Sequence, residues 1–178
     1  MTEGPYYLTG EPERRDVTEG KAGTPLRLQL VVANAARCTP IPGAVVEIWH
    51  ADAQGVYSGF GAGASNHTFL RGSQVADANG VATFDTIYPG WYQGRATHIH
   101  MKARQSKDAS QVHTGQMFFD EAVNDAVYSG GAYARTGRRT LNAQDGIYQD
   151  GGAQSMVTVT KSGDAYVGTM VIGIRDVV

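Results

Sequence analysis

Leu26, Leu28, Leu30 and Val32 alternate with Arg27, Gln29 and Val31, and this two-residue period constrains the fold more than any other feature of the chain. Side chains alternate faces along a strand, so the pattern describes a strand with one face in a core. Comparable segments recur, each cut short by turn residues. Residues 44–50 follow a turn containing Pro40 and Pro42, residues 69–75 end at Asp77-Ala78-Asn79-Gly80, and residues 81–87 stop at Pro89-Gly90. Residues 97–103 and 114–119 are strand-like too, and residues 155–160 and 165–174 flank a Lys161-Ser162-Gly163-Asp164 turn as a hairpin. No segment keeps helical periodicity for long, although one helical turn fits near residues 121–127; most of 120–152 reads as loop, and 23 glycines supply bends throughout. Seven or so short strands at this spacing predict an all-β protein, a single-domain β-sandwich with long loops and little helix.

A chain of 178 residues can bury one core and is too short for two ordinary domains. The whole of 1–178 therefore reads as one domain, with 1–22 as an extended N-terminal arm punctuated by Gly4, Pro5, Gly10, Pro12 and Gly20. Fifteen Lys and Arg against 17 Asp and Glu, scattered along the chain, offer no basic face for nucleic acid and no polybasic membrane patch. No apolar run approaches the roughly 20 residues that cross a bilayer. The N-terminus lacks a signal peptide's basic segment and apolar run, so the protein stays inside the cell, or a secretory leader was removed and Met1 is an added start. Cys38, the one cysteine, allows no internal disulfide and reads as a small buried apolar residue.

The chemistry concentrates in His98-Ile99-His100. On a strand these two imidazoles share a face about 6.5–7 Å apart at Cα, close enough to lean toward one metal. An isolated pair of this kind is more often two polar residues on a solvated face. Here Ile99 and Met101 mark the opposite face as apolar, and Trp91, Tyr92 and Arg95 lie just upstream. Tyr57 and Tyr92 would ordinarily be packing or rim residues in Gly-rich turns. Phenolate is nevertheless a hard anionic donor, and a metal can strip the proton from a phenol that titrates near 10 in water. Two tyrosines with two histidines would suit ferric iron, whereas zinc sites prefer Cys, His and carboxylate.

The sequence resembles the intradiol ring-cleavage dioxygenases, the group of protocatechuate 3,4-dioxygenase and catechol 1,2-dioxygenase, and is most like their short single-domain members. The likeness runs from Thr2-Glu3-Gly4-Pro5-Tyr6-Tyr7 to about Tyr148. It is carried in order by Ile48-Trp49-His50-Ala51-Asp52-Ala53-Gln54-Gly55-Val56-Tyr57, Phe69-Leu70-Arg71-Gly72, Thr86-Ile87-Tyr88-Pro89-Gly90-Trp91-Tyr92, Gly94-Arg95-Ala96-Thr97-His98-Ile99-His100 and Thr114-Gly115-Gln116-Met117-Phe118-Phe119. The resemblance implies a prealbumin-like sandwich and one Fe(III) per chain, ligated by Tyr57, Tyr92, His98 and His100. Its implied substrates are a small aromatic diol and O2, the ring being opened between its two hydroxyl-bearing carbons to cis,cis-muconate-type products. Catalytic roles are implied for Tyr92, which leaves when substrate arrives, for Arg95, which steadies negative charge on the ring, and for Gln116, which lines the site. The oligomeric state stays open. Secreted relatives often carry a cysteine after Trp-His, paired with one in the preceding turn; position 51 is Ala, so that disulfide is absent and the argument for an oxidising compartment weakens.

His50 reads as a core or supporting residue, His67 and His113 as surface or rim, Trp91 and Tyr6 as possible pocket walls. Arg14, Arg15 and Asp16 are placed to tie down the arm. Two rivals remain. One is a non-catalytic transthyretin-like or carbohydrate-binding sandwich, which shares the turn patterns but has no need of the histidine pair, Arg95 or Gln116. The other is a zinc or copper enzyme using His98, His100 and a third histidine.

Overall fold

The computed structural model describes residues 2–61, 63–110 and 112–175; Met1 lies outside them. Among the described residues, strands β1 (Pro25–Asn34), β2 (Val45–Trp49), β3 (Arg71–Val75), β4 (Val81–Ile87), β5 (His98–Arg104) and β6 (His113–Phe118) come first. Helix α1 (Glu121–Tyr128), a short helix α2 (Gly146–Gln149) and strands β7 (Thr158–Ser162) and β8 (Ala165–Ile174) follow. They form two four-stranded sheets, ordered β4-β1-β8-β7 and β3-β2-β5-β6. All pairings are antiparallel except β1 with β8, where Leu26 lies beside Tyr166 and Asn34 beside Ile174. The predicted β-sandwich is thus the fold observed.

The alternation that predicted β1 decides its packing. Leu26, Leu28, Leu30 and Val32 are buried and face Val46, Ile48, Ile99, Met101, Ala103 and Met117 of the second sheet, in one core with Phe84, Tyr88 and Phe119. Each fully buried Leu, Ile or Phe contributes about 1.5–3 kcal/mol. The outer face of the second sheet carries the other set: Glu47 and Trp49 on β2, His98, His100 and Lys102 on β5, Gln116 and Phe118 on β6. In an open sandwich that face meets water. Here the N-terminal arm covers it. The arm then wraps the β3 edge, with Ser73 N–H donating to Pro12 O (2.9 Å) and Leu70 N–H to Val17 O (2.6 Å), and reaches the first sheet, where Val17 N–H donates to Asp85 O (3.0 Å). Arg14 donates to the carbonyls of Thr68 and Arg71, and Arg15 pairs with Asp85, so both tie the arm down as expected.

Three expectations need correction. Residues 69–75 hold a strand only from Arg71, because Leu70 adopts a left-handed φ of 58° that breaks the extended run. The hairpin is tighter than predicted: Ser162 pairs with Ala165 across a two-residue Gly163-Asp164 turn, so β7 gains Lys161 and Ser162 and starts at Thr158. Cys38 is exposed, not buried; it sits in the turn after β1 with φ 54°. The helical turn predicted near 121–127 is α1, with Asp120 accepting from Ala122 N–H at its start.

Candidate metal centre

His98 and His100 project from β5 onto the covered outer face, and both are buried. His100 stacks on Trp49, its cross-strand neighbour, with ring centroids 5.0 Å apart and planes 7° apart. The tyrosines arrive on two loops that meet backbone to backbone. In the turn before Tyr57, Asp52 Oδ1 accepts from Gln54 N–H and Val56 N–H, both at 3.0 Å. A Cβ on Gly55 (φ +80°) would come within 2.5 Å of Trp91 O, and one on Gly90 within 2.1 Å of Asp52 O. Only glycine at both positions lets the loop of Tyr57 lie against the loop of Tyr92.

Four donor atoms converge as a result. Tyr57 Oη lies 3.4 Å, Tyr92 Oη 3.2 Å and His100 Nε2 3.0 Å from His98 Nε2. His98 Nδ1 lies 2.6 Å from Ala96 O, which must be met by an N–H. That contact puts the ring proton on Nδ1 and leaves Nε2 with its lone pair facing the cluster. Two hydroxyls and an imidazole thus crowd a nitrogen able to accept one good hydrogen bond. As a hydrogen-bond network the arrangement is oversubscribed. As a coordination cage it is well proportioned: donors about 2.1 Å from a first-row ion, at angles between about 90° and 110°, are separated by about 3.0–3.4 Å.

The electrostatics agree. Burial, then the charge of Arg95, pushes His98 down to about 3, and burial with the neighbouring His98 holds His100 well below its ordinary value. Both rings are neutral at physiological pH, as metal ligands must be. Burial raises both phenols above their usual range, so only a cation placed among the four groups would draw off their protons. A third histidine does not arrive. His50 is committed to Ala51 O (2.9 Å) and Thr86 Oγ1 (2.8 Å), His67 is exposed, and His113 pairs with Ala103 at the other end of β5. Among the described residues, no three His, Cys, Asp or Glu side chains gather to hold a metal; the hydroxyls beside His98 are those of Tyr57 and Tyr92.

Arg95 stands at the rim, 22% exposed, and its hold was not legible in the sequence. Its Nε–H donates to Asp145 Oδ2 (2.9 Å) and its Nη2 to Gln116 Oε1 (2.5 Å). Asp145 also accepts from Ala96, Ile147 and Tyr148 N–H, the last two at the start of α2. Burial opposes ionisation of Asp145, but those donors and Arg95 outweigh it and lower its pKa. The signal available in sequence was an Asp before Gly146-Ile147-Tyr148, which marks a helix cap without naming Arg95 as partner. Gln116 Nε2 donates in turn to Thr2 O (3.0 Å), tying this wall to the arm. Tyr6 stacks on Tyr57 (4.4 Å, 16°), so it walls the site as expected. Trp91, under the guanidinium of Arg135 at 3.6 Å, lines a neighbouring cavity of about 300 Å³ with Tyr92, Gln93 and Arg138.

The family model described as "Dioxygenase" matches residues 2–159. An intradiol ring-cleavage dioxygenase from Tetranychus urticae is 33% identical, superposes with a TM-score of 0.90 and aligns over 97% of this chain and 91% of its own. The dioxygenase domain of a dioxygenase–carbohydrate-binding fusion from Streptomyces sp. SirexAA-E is 27% identical, with a TM-score of 0.77 over 98% and 96%. Among curated proteins, catechol 1,2-dioxygenase of Acinetobacter baylyi is 38% identical over 93 residues, 49% of this chain and 30% of that protein. The matched stretch thus spans about a third or less of such relatives. With a matching family model over most of its length and a relative that superposes nearly end to end, the chain belongs to the intradiol ring-cleavage dioxygenase family.

Proposed function

We propose that this protein opens catechols between their two hydroxyl-bearing carbons with O2, giving cis,cis-muconate-type products, and holds one Fe(III) per chain with Tyr57, Tyr92, His98 and His100. The observation that carries this reading is the convergence of Tyr57 Oη, Tyr92 Oη and His100 Nε2 on the His98 Nε2 lone pair at 3.0–3.4 Å. When bound, ferric iron supplies a Lewis acid at which a catechol loses its hydroxyl protons near neutral pH and becomes reactive toward O2.

The residues divide that work by position. Tyr57, buried under Tyr6, would hold the metal from the closed side of the site. Tyr92 is half-buried beside the cavity at Trp91, so its Oη would be the donor placed to take a substrate proton. Arg95, fixed by Asp145 and Gln116, holds a permanent positive charge beside the site to steady negative charge developing on the ring. Trp49 and Tyr6 keep water from the buried donors. The non-catalytic sandwich module has no support from the site or from the relatives.

Titrating the iron-loaded protein anaerobically with catechol, protocatechuate, hydroxyquinol and a halogenated catechol tests this, followed by O2 uptake and product identification. The expected result is a visible tyrosinate-to-iron absorption that changes on catechol binding, then a ring-opened diacid. A colourless protein that retains no iron, or a product with an intact ring, overturns the proposal. Tyr57→Phe should bleach the absorption and abolish most activity; an unchanged spectrum removes Tyr57 from the ligand set.

A further inference from the structure

Arg71 opens β3 and is 1% exposed, although nothing in the proposed chemistry uses it. Its guanidinium joins two segments. Nε donates to Ser58 Oγ (2.9 Å) and Nη2 to Ser58 O (2.8 Å), while Nη1 pairs with Glu11 Oε1 (3.3 Å), whose side chain is 2% exposed. Ser58 directly follows Tyr57 and is itself buried, its hydroxyl donating to Phe69 O (2.6 Å). Glu11 belongs to the arm, and the segment before it forms the lid of the donor cluster. Tyr7 packs on Trp49 (5.0 Å), Tyr6 stacks on Tyr57, and Gly4 approaches His100 so closely that a Cβ there would lie 2.9 Å from Cε1.

Burying an ion pair is costly, and apolar side chains of similar volume often serve stability as well. What apolar residues could not do here is hold both oxygens of Ser58 and a carboxylate of the arm with one rigid, planar fork. We propose that Glu11 and Arg71 are positioning residues that latch the N-terminal arm to the Tyr57 loop, so that metal retention and closure of the arm are one coupled equilibrium. This rests on the ferric site proposed above. Coupling of this kind is reciprocal: metal must steady the arm as much as the arm retains the metal.

The test uses the full chain loaded with Fe(III). Loss of the visible absorption after adding excess chelator gives the release rate, and amide hydrogen exchange reports on residues 3–9. In the wild type, iron loading should slow exchange across those residues. Glu11→Gln, and the double variant Glu11→Met with Arg71→Met, should release iron about 10- to 100-fold faster, the range for losing a partner that orients a ligand. Glu13→Gln breaks the exposed Glu13–Lys107 tie (2.7 Å) of the same arm and should release iron at the wild-type rate. Circular dichroism and thermal midpoints establish that each variant is folded. A folded double variant with wild-type release, or arm exchange in the wild type that ignores iron, overturns the latch alone. Should no variant fold, the wild-type exchange comparison still decides. A wild type that never binds iron overturns the functional reading and the latch with it.

Discussion

Replacing Asp145 by asparagine alters almost nothing in shape, yet every partner of this side chain is a donor. Arg95 Nε–H and Ala96 N–H point at Oδ2, and Ile147 and Tyr148 N–H point at Oδ1. A carboxylate can accept all four. An amide has one acceptor oxygen, so in either flip its NH2 faces two donors. With the oxygen toward α2, the buried Ala96 N–H is left unsatisfied at about 1–3 kcal/mol, and Arg95 loses a charge-assisted bond worth about 1.5–3 kcal/mol. The expected destabilisation is about 3–5 kcal/mol, enough to lower the midpoint of a chain this size by about 10 °C or more while leaving it folded. Urea denaturation of both proteins across pH measures it. Asp145 titrates below its ordinary 3.8 in the folded state, so its contribution is complete above about pH 4 and disappears as pH falls through the folded value. The gap between wild type and variant should therefore close in acid. A loss under about 1 kcal/mol at pH 7, or a gap unchanged at pH 3, would refute the argument.

Arg95→Ala should retain iron and its visible absorption while turnover slows about 10²-fold, measured as O2 uptake with catechol; full activity would remove Arg95 from the mechanism. His50, held neutral by burial at about 4 against an ordinary 6.5, makes the iron-free protein lose stability as pH falls from 6.5 toward 4. The difference is worth about 3 kcal/mol, so His50→Gln should flatten denaturation free energy over that window by this amount, leaving the share due to His98 and His100. Cys38→Gly should stabilise by up to about 1 kcal/mol in the same assay. It removes left-handed strain of about 1–2 kcal/mol at an exposed turn and adds about 0.5–1 kcal/mol of chain entropy to lose.

The strands were legible because burial on one face imposes a period of two, and β4 and β8 begin and end where alternation and turn residues place them. The histidine pair was legible for the same reason, but its burial was not. Alternation opposite Ile99 and Met101 says only that His98 and His100 share the other face. What covers that face is an arm with no period, whose contacts are set by partners distant in the chain. Tyr57 and Tyr92 could be assigned only by resemblance, since their convergence depends on Gly55 and Gly90 letting two loops touch. Asp145, Glu11 and Arg71 went unread because a buried charge looks like a surface charge until its partner is known. Cys38 was misplaced because composition favours burial for cysteine, while the turn that follows β1 leaves it outside.

The parallel pairing of β1 with β8 has a consequence for how the molecule is made. Leu26 finds Tyr166 across nearly the whole chain, and β8 lies inside its sheet, between β1 and β7. As the polypeptide leaves the ribosome, β1 and β4 can pair and the apolar row from Leu26 to Val32 can meet the second sheet, but one edge of β1 stays open until residues 165–174 emerge. This sheet is therefore completed only when β8 arrives, in the slow regime of topologies dominated by distant contacts. During translation the unpaired edge of β1 is open to pairing with another nascent chain.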